Sequence, residues 1–390
     1  MNPGAAVGID ALYAYIPGNY VDVRELAEKR ANGRDTSKIL SLVGQKEMAI
    51  PFGFEDPVTM AANAVAGMIR HFKADVSKIE RIVMATESAF DFSKAGSSFV
   101  HEMAKLKRGT EVYEVKHACA SGTYALLDAV NAVRAGEIET AVVVMSDICR
   151  YKKGSSAEYT QGAGAVALLV AKNPKILAIS PGTGTCSFNV ADFYRPAGSE
   201  TPVVDGRLSM ESYIKAVCGS FSDYVEKAQI MPHHLLAAMS HIIFHTPFPK
   251  MAENAFFALC KETGCRRREK EDFERKVKPS LSIPSSVGNV YTASLYLALA
   301  SALENATRDD IAGLFSYGSG CTSKFFAGRV APQAGDRIRS LGLLKQLSAR
   351  RRLSIAEYER VFYEGGEIDN EYRGFRVRSI RNGYREYGLV

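Results

Sequence analysis

Short apolar runs alternate with longer segments of helical periodicity along most of the chain. Three runs are continuously apolar and bounded by polar residues or glycine, which is typical of buried strands: 79–86, 140–146 and 163–171. Between them, residues 56–72 and 121–135 have the spacing of helices. The second of these helices is predicted to end at Ala135-Gly136, because glycine commonly terminates a helix.

The second half of the chain repeats this alternation. A strand is predicted at 239–244, a helix at 291–303 and a strand at 313–317. Alternating strands and helices predict an α/β layered fold. Both halves end in a glycine-bounded apolar strand or hairpin, at 162–171 and 318–327, which favours an internal duplication.

These patterns divide the chain into three parts. Residues 1–172 and 173–331 are predicted as two related α/β halves. Residues 332–390 hold twelve Lys and Arg against eight Asp and Glu. They are predicted as a basic extension that packs on the core as helix and strand.

Size and composition are those of a globular protein. The 390 residues can bury a large core, and 46% of them are hydrophobic against 24% charged. No apolar run reaches the roughly 18–20 residues that a membrane helix needs. The first residues show no basic start followed by an apolar stretch, so no secretory signal is expected. We therefore expect a cytoplasmic protein without a membrane segment.

The seven cysteines include no C-x-x-C pair, which argues against a disulfide framework and against a zinc site. Five of them have no chemically suggestive neighbours and are expected to be small buried residues: Cys149, Cys186, Cys218, Cys260 and Cys265. Cys321 follows a glycine and is also expected to be a packing residue.

A net charge of +6 suits a polyanionic partner. Basic clusters occur at 266–268 and 350–352, although solvated helix faces explain such clusters equally well. Nucleic acid is not expected, since aromatic and basic residues do not interleave and no nucleic-acid motif is found. Another polyanionic partner fits the charge better.

Cys119 has the sequence setting of a reactive cysteine. It lies between a predicted strand at 111–115 and the predicted helix at 121–135, near the positive end of the helix dipole. Such a position is expected to lower the pKa of the thiol. On this local pattern alone, a buried structural cysteine remains the alternative.

Several separated segments together resemble the hydroxymethylglutaryl-CoA synthase family, a branch of the thiolase superfamily. They appear in family order and cover nearly the whole chain. The matching segments are ATES at 85–88, AC at 118–119, TQGAGA at 160–165, FHTPFPKM at 244–251, GNVYTAS at 288–294 and YGSG at 317–320, with DFYRP at 192–196 and VDG at 204–206.

The resemblance implies a thiolase-like fold with α-β-α-β-α layers built from two related halves, in a homodimer. It also implies a transferase that condenses an acetyl group with the β-keto carbon of an acetoacetyl thioester and then hydrolyses the enzyme thioester. The product is a 3-hydroxy-3-methylglutaryl group. The thioesters are on CoA, as in the mevalonate pathway, or on an acidic acyl carrier protein, as in polyketide β-branching. The basic balance and the basic cluster at 266–270 favour the carrier protein slightly.

The resemblance assigns the central chemistry to three residues. Cys119 carries the acetyl group, which splits a difficult reaction into two easier steps. Glu87 removes a proton from the acetyl methyl group, and partial burial after a strand raises its pKa toward a useful range. His245 hydrogen-bonds the ketone of the acceptor. Read without the resemblance, Glu87 is a helix cap or a surface carboxylate, and His245 is a core histidine.

Five further residues are assigned by the resemblance to substrate binding. Asn289 positions the acceptor, and Gly318 and Ser319 bring backbone N–H groups to the thioester oxygen. Tyr151 lies close to the reacting centre, and Lys250 lies near the phosphates of coenzyme A. No bound metal and no permanent cofactor are expected, since thioesters of coenzyme A or phosphopantetheine are the substrates.

Two departures from the family pattern flank the nucleophile. Most members carry tyrosine immediately after the cysteine and Glu or Asn two residues before it, where this chain has Ala120 and His117. These two departures leave the identity of the acyl donor undecided, whereas the type of reaction is less affected. Two alternatives stay open at this point: a decarboxylating ketoacyl synthase of the same superfamily, which needs no carboxylate at Glu87, and a non-catalytic thioester-binding scaffold.

Overall fold

One ten-stranded sheet runs through both halves of the chain. The computed structural model describes residues 5–31, 33, 35–368 and 372–390. The strands are β1 (Val7–Tyr15), β2 (Asn19–Asp22), β3 (Glu47–Ile50), β4 (Ile79–Ala85), β5 (Glu111–Val115), β6 (Thr140–Cys149), β7 (Gly162–Lys172), β8 (Leu177–Ile179), β9 (Gly184–Ser187), β10 (Phe193–Tyr194), β11 (Val203–Val204), β12 (His241–Phe244), β13 (Ile311–Gly318), β14 (Thr322–Val330), β15 (Arg351–Arg352), β16 (Phe375–Arg381) and β17 (Tyr384–Leu389).

The helices are interspersed with these strands. They are α1 (Val23–Ala31), α2 (Ser37–Val43), α3 (Pro57–Phe72), α4 (Gly96–Met103), α5 (Ser121–Ala135), α6 (Gly206–Ala228), α7 (Pro232–Ala238), α8 (Pro249–Glu262), α9 (Glu269–Asp272), α10 (Pro284–Val287), α11 (Ser294–Leu303), α12 (Ala334–Arg339), α13 (Leu343–Ser348) and α14 (Ile355–Tyr363). Among the described residues, no helix is both long enough and apolar enough to cross a bilayer.

In the order of strands across the sheet, the strands of each half of the chain lie next to one another. The order runs β12-β13-β14-β8-β1-β7-β6-β4-β5, with β9 paired to β14, so that the two halves meet at β8 and β1. Strand β4 lies parallel to both β5 and β6, and Ala85 at its end is opposite Val115 at the end of β5. The residues that follow these two strands therefore leave the sheet at the same edge.

Helices separate and cover the two groups of strands. Every residue of α11 is buried. One apolar cluster joins α5 and α11 to strands of both halves, so these helices form a central layer. Helices α3 and α4 pack on the outer face of the first group, whereas α6 and α8 pack on that of the second. This arrangement confirms the predicted α-β-α-β-α architecture.

The helix boundaries follow local capping. The Asp56 side chain accepts a hydrogen bond from the Thr59 backbone, in a capping box with Pro57 at the start of α3. Helix α5 spans the predicted 121–135, and Gly136 ends it with a φ of 78°.

Two element predictions differ from the structure. Residues 291–303 begin as a 3-10 turn (Tyr291–Ala293) and become α-helical only at Ser294, because Tyr291 has a φ of 40°, outside the right-handed helical region. Strand β6 continues past 146 to Cys149, which pairs with Gly162. The polar pair at 146–147 resembles a strand end in sequence, but its side chains are buried and hydrogen-bonded.

The described residues from 332 onward form the helices α12–α14 and the strands β15–β17. Residues of α14, such as Tyr358 and Phe362, share an apolar cluster with Val21 and Ile50 near the start of the chain. The division of the chain at 172 and 331 stays a prediction.

All seven cysteines lie in the described part of the chain and are free thiols. Cys149, Cys260 and Cys321 are buried, as predicted. The same prediction was wrong for three others, which are only half-buried: Cys186, Cys218 and Cys265.

Candidate active site

A strained loop between β5 and α5 presents Cys119. Ala118 has a φ of 44°, a conformation that costs energy for a residue with a side chain. The Ser121 hydroxyl accepts a hydrogen bond from the His117 N–H at 2.5 Å and donates one to the Ala118 carbonyl at 2.7 Å. These two bonds hold the thiol at the sheet edge, where β4 also ends.

The second half of the chain packs directly against this loop at Gly318. A Cβ atom at this position would lie 2.6 Å from the His117 carbonyl oxygen and 2.9 Å from the Ala120 nitrogen. Only glycine therefore allows β13 to approach the nucleophile loop so closely. Gly318 is thus placed beside Cys119, as the resemblance implied.

Glu87 lies next to Cys119. The Glu87 carboxyl lies close enough to the Cys119 thiol for its charge to raise the pKa of that thiol, and Glu87 Oε1 is buried without a hydrogen-bond partner among the described residues. Burial, followed by the charge of Asp147, raises the pKa of Glu87 to about 8. A carboxyl group with this pKa takes up and releases protons near neutral pH.

The predicted lowering of the Cys119 pKa is wrong. Burial raises the pKa of this thiol well above its usual value, and the neighbouring Glu87 carboxyl raises it further. Loss of hydration and a nearby negative charge both favour the neutral thiol, and together they outweigh the helix dipole. The cysteine therefore needs a proton acceptor before it can attack, and Glu87 is in contact with it.

Asp147, which the sequence interpretation missed, organises the region around Glu87. One of its oxygens accepts hydrogen bonds from the Thr86 hydroxyl at 2.9 Å, the Glu87 N–H at 2.7 Å and the Ser88 hydroxyl at 2.8 Å. Its other oxygen accepts from the Thr292 hydroxyl at 2.6 Å. A fully buried aspartate near the end of an apolar strand was the available signal.

His245 follows β12 and is only 2% exposed. The backbone of His245 is fixed at both ends. Its backbone N–H donates to the Phe315 carbonyl at 2.8 Å, and its backbone carbonyl accepts a hydrogen bond from the Tyr213 hydroxyl at 2.6 Å. No described residue hydrogen-bonds its Nδ1 atom. Burial lowers the pKa of the imidazole to about 3, so the ring is neutral at physiological pH. A neutral imidazole keeps one N–H to donate and one nitrogen to accept.

Asn289 is fixed through its carbonyl group. Its Oδ1 accepts from the Tyr291 N–H at 2.9 Å and from the Ser294 hydroxyl at 3.0 Å, which leaves its amide hydrogens for a ligand. The preceding Gly288 has a φ of 90°, and a Cβ there would lie 1.9 Å from the Gln161 carbonyl oxygen. The segments around 161 and 289 therefore meet through a glycine.

Two cavities adjoin the thiol–carboxyl pair. The first, of about 540 Å³, is lined by five of the predicted site residues: Cys119, His245, Asn289, Tyr151 and Ser319. The second, of about 860 Å³, is lined by Glu87 and by the loops that follow β4 and β5. Four residues line both cavities and separate them: Phe193, Pro202, Tyr291 and Ser319. The expected single pocket is therefore a pair of cavities that meet at Cys119 and Glu87.

The remaining predicted residues differ in their positions. Tyr151 is 8% exposed and packs with Cys149 and Tyr291 in one small cluster. Lys250 does not line the first cavity, and its Nζ forms an ion pair with Glu253 at 2.6 Å. In the turn at 318–320, the backbone N–H of Gly320 donates to the Asp192 carboxylate at 3.0 Å and is therefore not free to bind a substrate. Ser319, in the same turn, lines the first cavity.

The two departures from the family pattern have different settings. Ala120 is fully buried against Gly318 and lines neither cavity, so it does not widen the site directly. His117 is exposed and lines only the second cavity. The described residues contain no group of three or more His, Cys, Asp or Glu side chains that could hold a metal ion.

A half-buried cysteine at a strand-to-helix junction, a carboxyl group beside it and a neutral imidazole on the same cavity occur here in an α-β-α-β-α fold. The fold and this site define the chain as a thiolase-like condensing enzyme. Models of the hydroxymethylglutaryl-coenzyme A synthase N-terminal and C-terminal domains match residues 3–175 and residues 182–270 and 261–367. The chain belongs to the hydroxymethylglutaryl-coenzyme A synthase family.

Relatives of two types resemble the chain over almost its full length. Hydroxymethylglutaryl-CoA synthase of Enterococcus faecalis is 35% identical over 98% of this chain and 99% of that protein. The polyketide biosynthesis 3-hydroxy-3-methylglutaryl-ACP synthase PksG of Bacillus subtilis is 34% identical over 93% of this chain and 89% of that protein.

A solved structure shows the same fold. The curacin biosynthetic pathway HMG synthase, in complex with holo donor-ACP, matches with a TM-score of 0.92 at 30% identity, over 99% of this chain and 100% of that one. The chain is accordingly a carbon–carbon bond-forming acyltransferase that condenses an acetyl with an acetoacetyl thioester. Membership of this family decides against a decarboxylating ketoacyl synthase and against a scaffold.

Proposed function

We propose that Cys119 carries the acetyl group, that Glu87 moves the protons, and that His245 with Asn289 holds the ketone of the acceptor. The observation that carries this assignment is the placement of an unpartnered, buried Glu87 carboxyl oxygen beside the Cys119 thiol, where two cavities adjoin. His245 and Asn289 line the cavity into which the thiol opens.

The first step is transfer of the acetyl group. Glu87 in its ionised form accepts the thiol proton as the Cys119 sulfur attacks the acetyl carbonyl carbon. The carrier thiolate leaves and takes up this proton, so a carrier thiol is released and the acetyl thioester remains on Cys119. Because the thiol pKa is raised, Glu87 is needed as the acceptor.

The second step forms the carbon–carbon bond. Glu87 removes a proton from the acetyl methyl group, and the resulting enolate carbon attacks the ketone carbon of the acetoacetyl group. The alkoxide oxygen formed in this attack takes up the proton that Glu87 removed, which gives the 3-hydroxy group and leaves Glu87 ionised for the hydrolysis that follows. The neutral imidazole of His245 donates a hydrogen bond to the ketone oxygen, and the Asn289 amide donates another. These donors stabilise the charge that develops on the oxygen, which is commonly the largest electrostatic contribution to catalysis.

Acyl carrier protein is the carrier that we propose for the acyl groups. Leu42 and Val204 line the first cavity and are 54% and 37% exposed, an apolar surface that suits contact with a protein. Lys250 is already paired with Glu253, which weakens its predicted role with coenzyme A phosphates.

The basic cluster at 266–268 supports this choice less than expected. Arg266 and Arg268 pair with Glu269 and Glu271. The cluster also follows the far end of α8, about 20 Å from the helix start that adjoins the first cavity, given the rise of a helix. A carrier seated at the cavity mouth would contact other residues.

A homodimer in the cytoplasm is the proposed state of the enzyme. Strand β5 is the last strand at one edge of the main sheet, so one side of it is unpaired among the described strands and can pair with a second copy. The free thiols suit a reducing compartment.

Intact-mass measurement after incubation with acetylated carrier tests this function. We expect one acetyl group per chain, lost in Cys119→Ser and retained in Cys321→Ser, a matched change of a buried cysteine outside both cavities. Acetylated carrier protein is expected to react faster than acetyl-CoA. Labelling of Cys119→Ser would overturn the nucleophile assignment, and equal rates with both donors would remove the carrier preference.

A further inference from the structure

We propose that the second cavity delivers the water that hydrolyses the enzyme thioester, while the first cavity is occupied by the carrier arm. This inference rests on the proposed function, because it requires a thioester on Cys119. It assigns a separate task to each of the two cavities that meet at the thiol–carboxyl pair.

The order of the reaction creates the need for two routes. After condensation, the new six-carbon group is joined to Cys119 through one carbonyl and to the acceptor's phosphopantetheine arm through the other. The arm therefore still occupies the first cavity, which contains His245 and Asn289. Water must reach the Cys119 thioester carbon at that moment by a path that the arm does not fill.

The second cavity has the features of such a path. Its volume of about 860 Å³ greatly exceeds the roughly 30 Å³ that one water takes up in the liquid. It opens to solvent between exposed polar side chains, including those of Lys116, Arg195 and Glu200. It is also lined by Glu87 and by Ala118, the residue that precedes the nucleophile.

The wall between the cavities is mainly aromatic. The Phe193 ring lies 5.8 Å from the Tyr291 ring and 6.5 Å from the Tyr151 ring, in edge-to-face arrangements. The guanidinium of Arg195 donates to the backbone carbonyl of Glu87 at 2.7 Å. This bond joins the segment around Phe193 to the loop after β4, and Arg195 also lines the second cavity. The wall keeps the carrier arm on one side and bulk solvent on the other.

The Glu87 carboxyl group faces the second cavity, which is the side from which water would attack the Cys119 thioester. Glu87, which lines only the second cavity, accepts a proton from water as the water oxygen bonds to the thioester carbon. The carbon–sulfur bond then breaks, and Glu87 returns the proton to the Cys119 sulfur. Thioester and water thus become a carboxylic acid and a free thiol, and no other reactant is required.

Matched phenylalanine substitutions in the two cavities test the inference. Ala89 lines only the second cavity and Ala157 only the first, and both are half-buried. Acylation is measured as the first burst of free carrier thiol. Deacylation is measured in full turnover, while the carrier arm occupies the first cavity, as release of free carboxylic acid and, by intact mass, as loss of the six-carbon group from Cys119. Hydrolysis of preformed acetyl-enzyme, in which the first cavity is empty, is followed by intact mass as a control.

Opposite effects are expected from the two variants. Ala89→Phe should leave acylation unchanged and slow deacylation by about tenfold, a barrier change of ~1.4 kcal/mol. Ala157→Phe should slow acylation and leave deacylation of preformed acetyl-enzyme unchanged. Ala89→Leu provides a smaller block of the same cavity, with an intermediate effect, if Ala89→Phe does not fold.

Two results would overturn the water route. One is deacylation at the wild-type rate in both Ala89 variants, and the other is an equal loss of acylation and deacylation in them. Failure of the proposed function looks different, since the wild-type enzyme would then show no burst of free thiol and no acetyl group on Cys119.

Discussion

The two sides of the active site use opposite electrostatic designs. On the side built by the first half, the Glu87 carboxyl lies beside the Cys119 thiol, and burial raises the pKa of the carboxyl to about 8. On the side built by the second half, His245 is held neutral with a pKa of about 3, and Asn289 has no charge to change. One side is set to move protons, and the other presents fixed donors to the acceptor.

Burial produces both outcomes. It disfavours the charged form of every group, which raises the pKa of a carboxyl or thiol and lowers that of an imidazole. The carboxyl therefore titrates near neutral pH, while the imidazole does not. The same physical effect thus distinguishes Glu87, the proposed proton acceptor, from His245, the proposed hydrogen-bond donor to the ketone. Substitutions on one side should therefore affect different steps from substitutions on the other.

The largest loss is expected on the first side, from Cys119→Ser. Without the sulfur nucleophile, turnover should fall by about 10⁴-fold or more, measured as formation of 3-hydroxy-3-methylglutaryl product. Cys321→Ser serves as the control, since Cys321 is buried but lines neither cavity. Turnover above a tenth of wild type in Cys119→Ser would be inconsistent with covalent catalysis at this residue.

Glu87→Gln should have the next largest effect. It keeps the shape of the side chain but cannot accept a proton, so condensation should slow by about 10³-fold, as for loss of a general base. Acetyl transfer should slow as well, because the raised pKa of Cys119 makes the thiol dependent on this carboxyl. Rapid-quench measurement of both steps checks this. A normal rate of condensation would exclude Glu87 as the base.

His245→Ala should act on the second side only. Loss of the donor to the ketone oxygen should slow condensation by about 10²-fold, as for removal of one oxyanion donor. Acetylation should proceed at the wild-type rate, because the imidazole is not needed to form the acetyl thioester. A variant that loses both steps equally would show that the two sides are not separable.

The pH dependence distinguishes the two sides without mutation. The condensation rate should rise with pH and level off above a midpoint near 8, the pKa of Glu87. No step is expected near 6.5, since the pKa of His245 is lowered to about 3. Stopped-flow rates between pH 5 and 9 test this, and a midpoint near 6.5 would assign the proton transfer to a histidine.

The same raised pKa has a consequence for stability. Between about 4.5 and 8 the folded protein holds the Glu87 proton more tightly than the unfolded chain does. The free energy of unfolding should therefore decrease as the pH rises through this window. Glu87→Gln should remove that part of the pH dependence, which denaturant unfolding at several pH values can measure.

Thr292→Val should give the smallest change. It removes a hydroxyl that donates to buried Asp147 at 2.6 Å and keeps the shape of the side chain. The free energy of unfolding should fall by about 1–2 kcal/mol in denaturant titrations, with a turnover loss below about tenfold. A larger loss of turnover than in His245→Ala would mean that Asp147 has a more direct part in the chemistry.

The sequence was sufficient where local patterns determine structure. Helix α5 was predicted with its boundaries because apolar spacing and Gly136 both act within a few residues. Cys119, Glu87 and His245 were found because each belongs to a short motif. In the structure, Glu87 lies close enough to Cys119 to raise the pKa of its thiol, and His245 lines the same cavity as the thiol. The catalytic roles of the three residues stay predictions.

The sequence was insufficient where distant segments decide the chemistry. Asp147 binds Glu87 and Thr292 across long separations in the chain, so no local pattern reports its role. The pKa of Cys119 was predicted from a helix end, but the burial that raises it comes from tertiary packing. The division of the site into two cavities depends on aromatic rings from segments around 193 and 291.

A time course of acetylation of Cys119 by intact mass, in wild type, Glu87→Gln and His245→Ala, tests the separation of the two sides most directly. Slow acetylation in Glu87→Gln is expected, together with acetylation at the wild-type rate and persistent acetyl-enzyme in His245→Ala when acceptor is added. Rapid acetylation of Glu87→Gln, or failure of His245→Ala to acetylate, would contradict the assignment of proton movement to one side and ketone binding to the other.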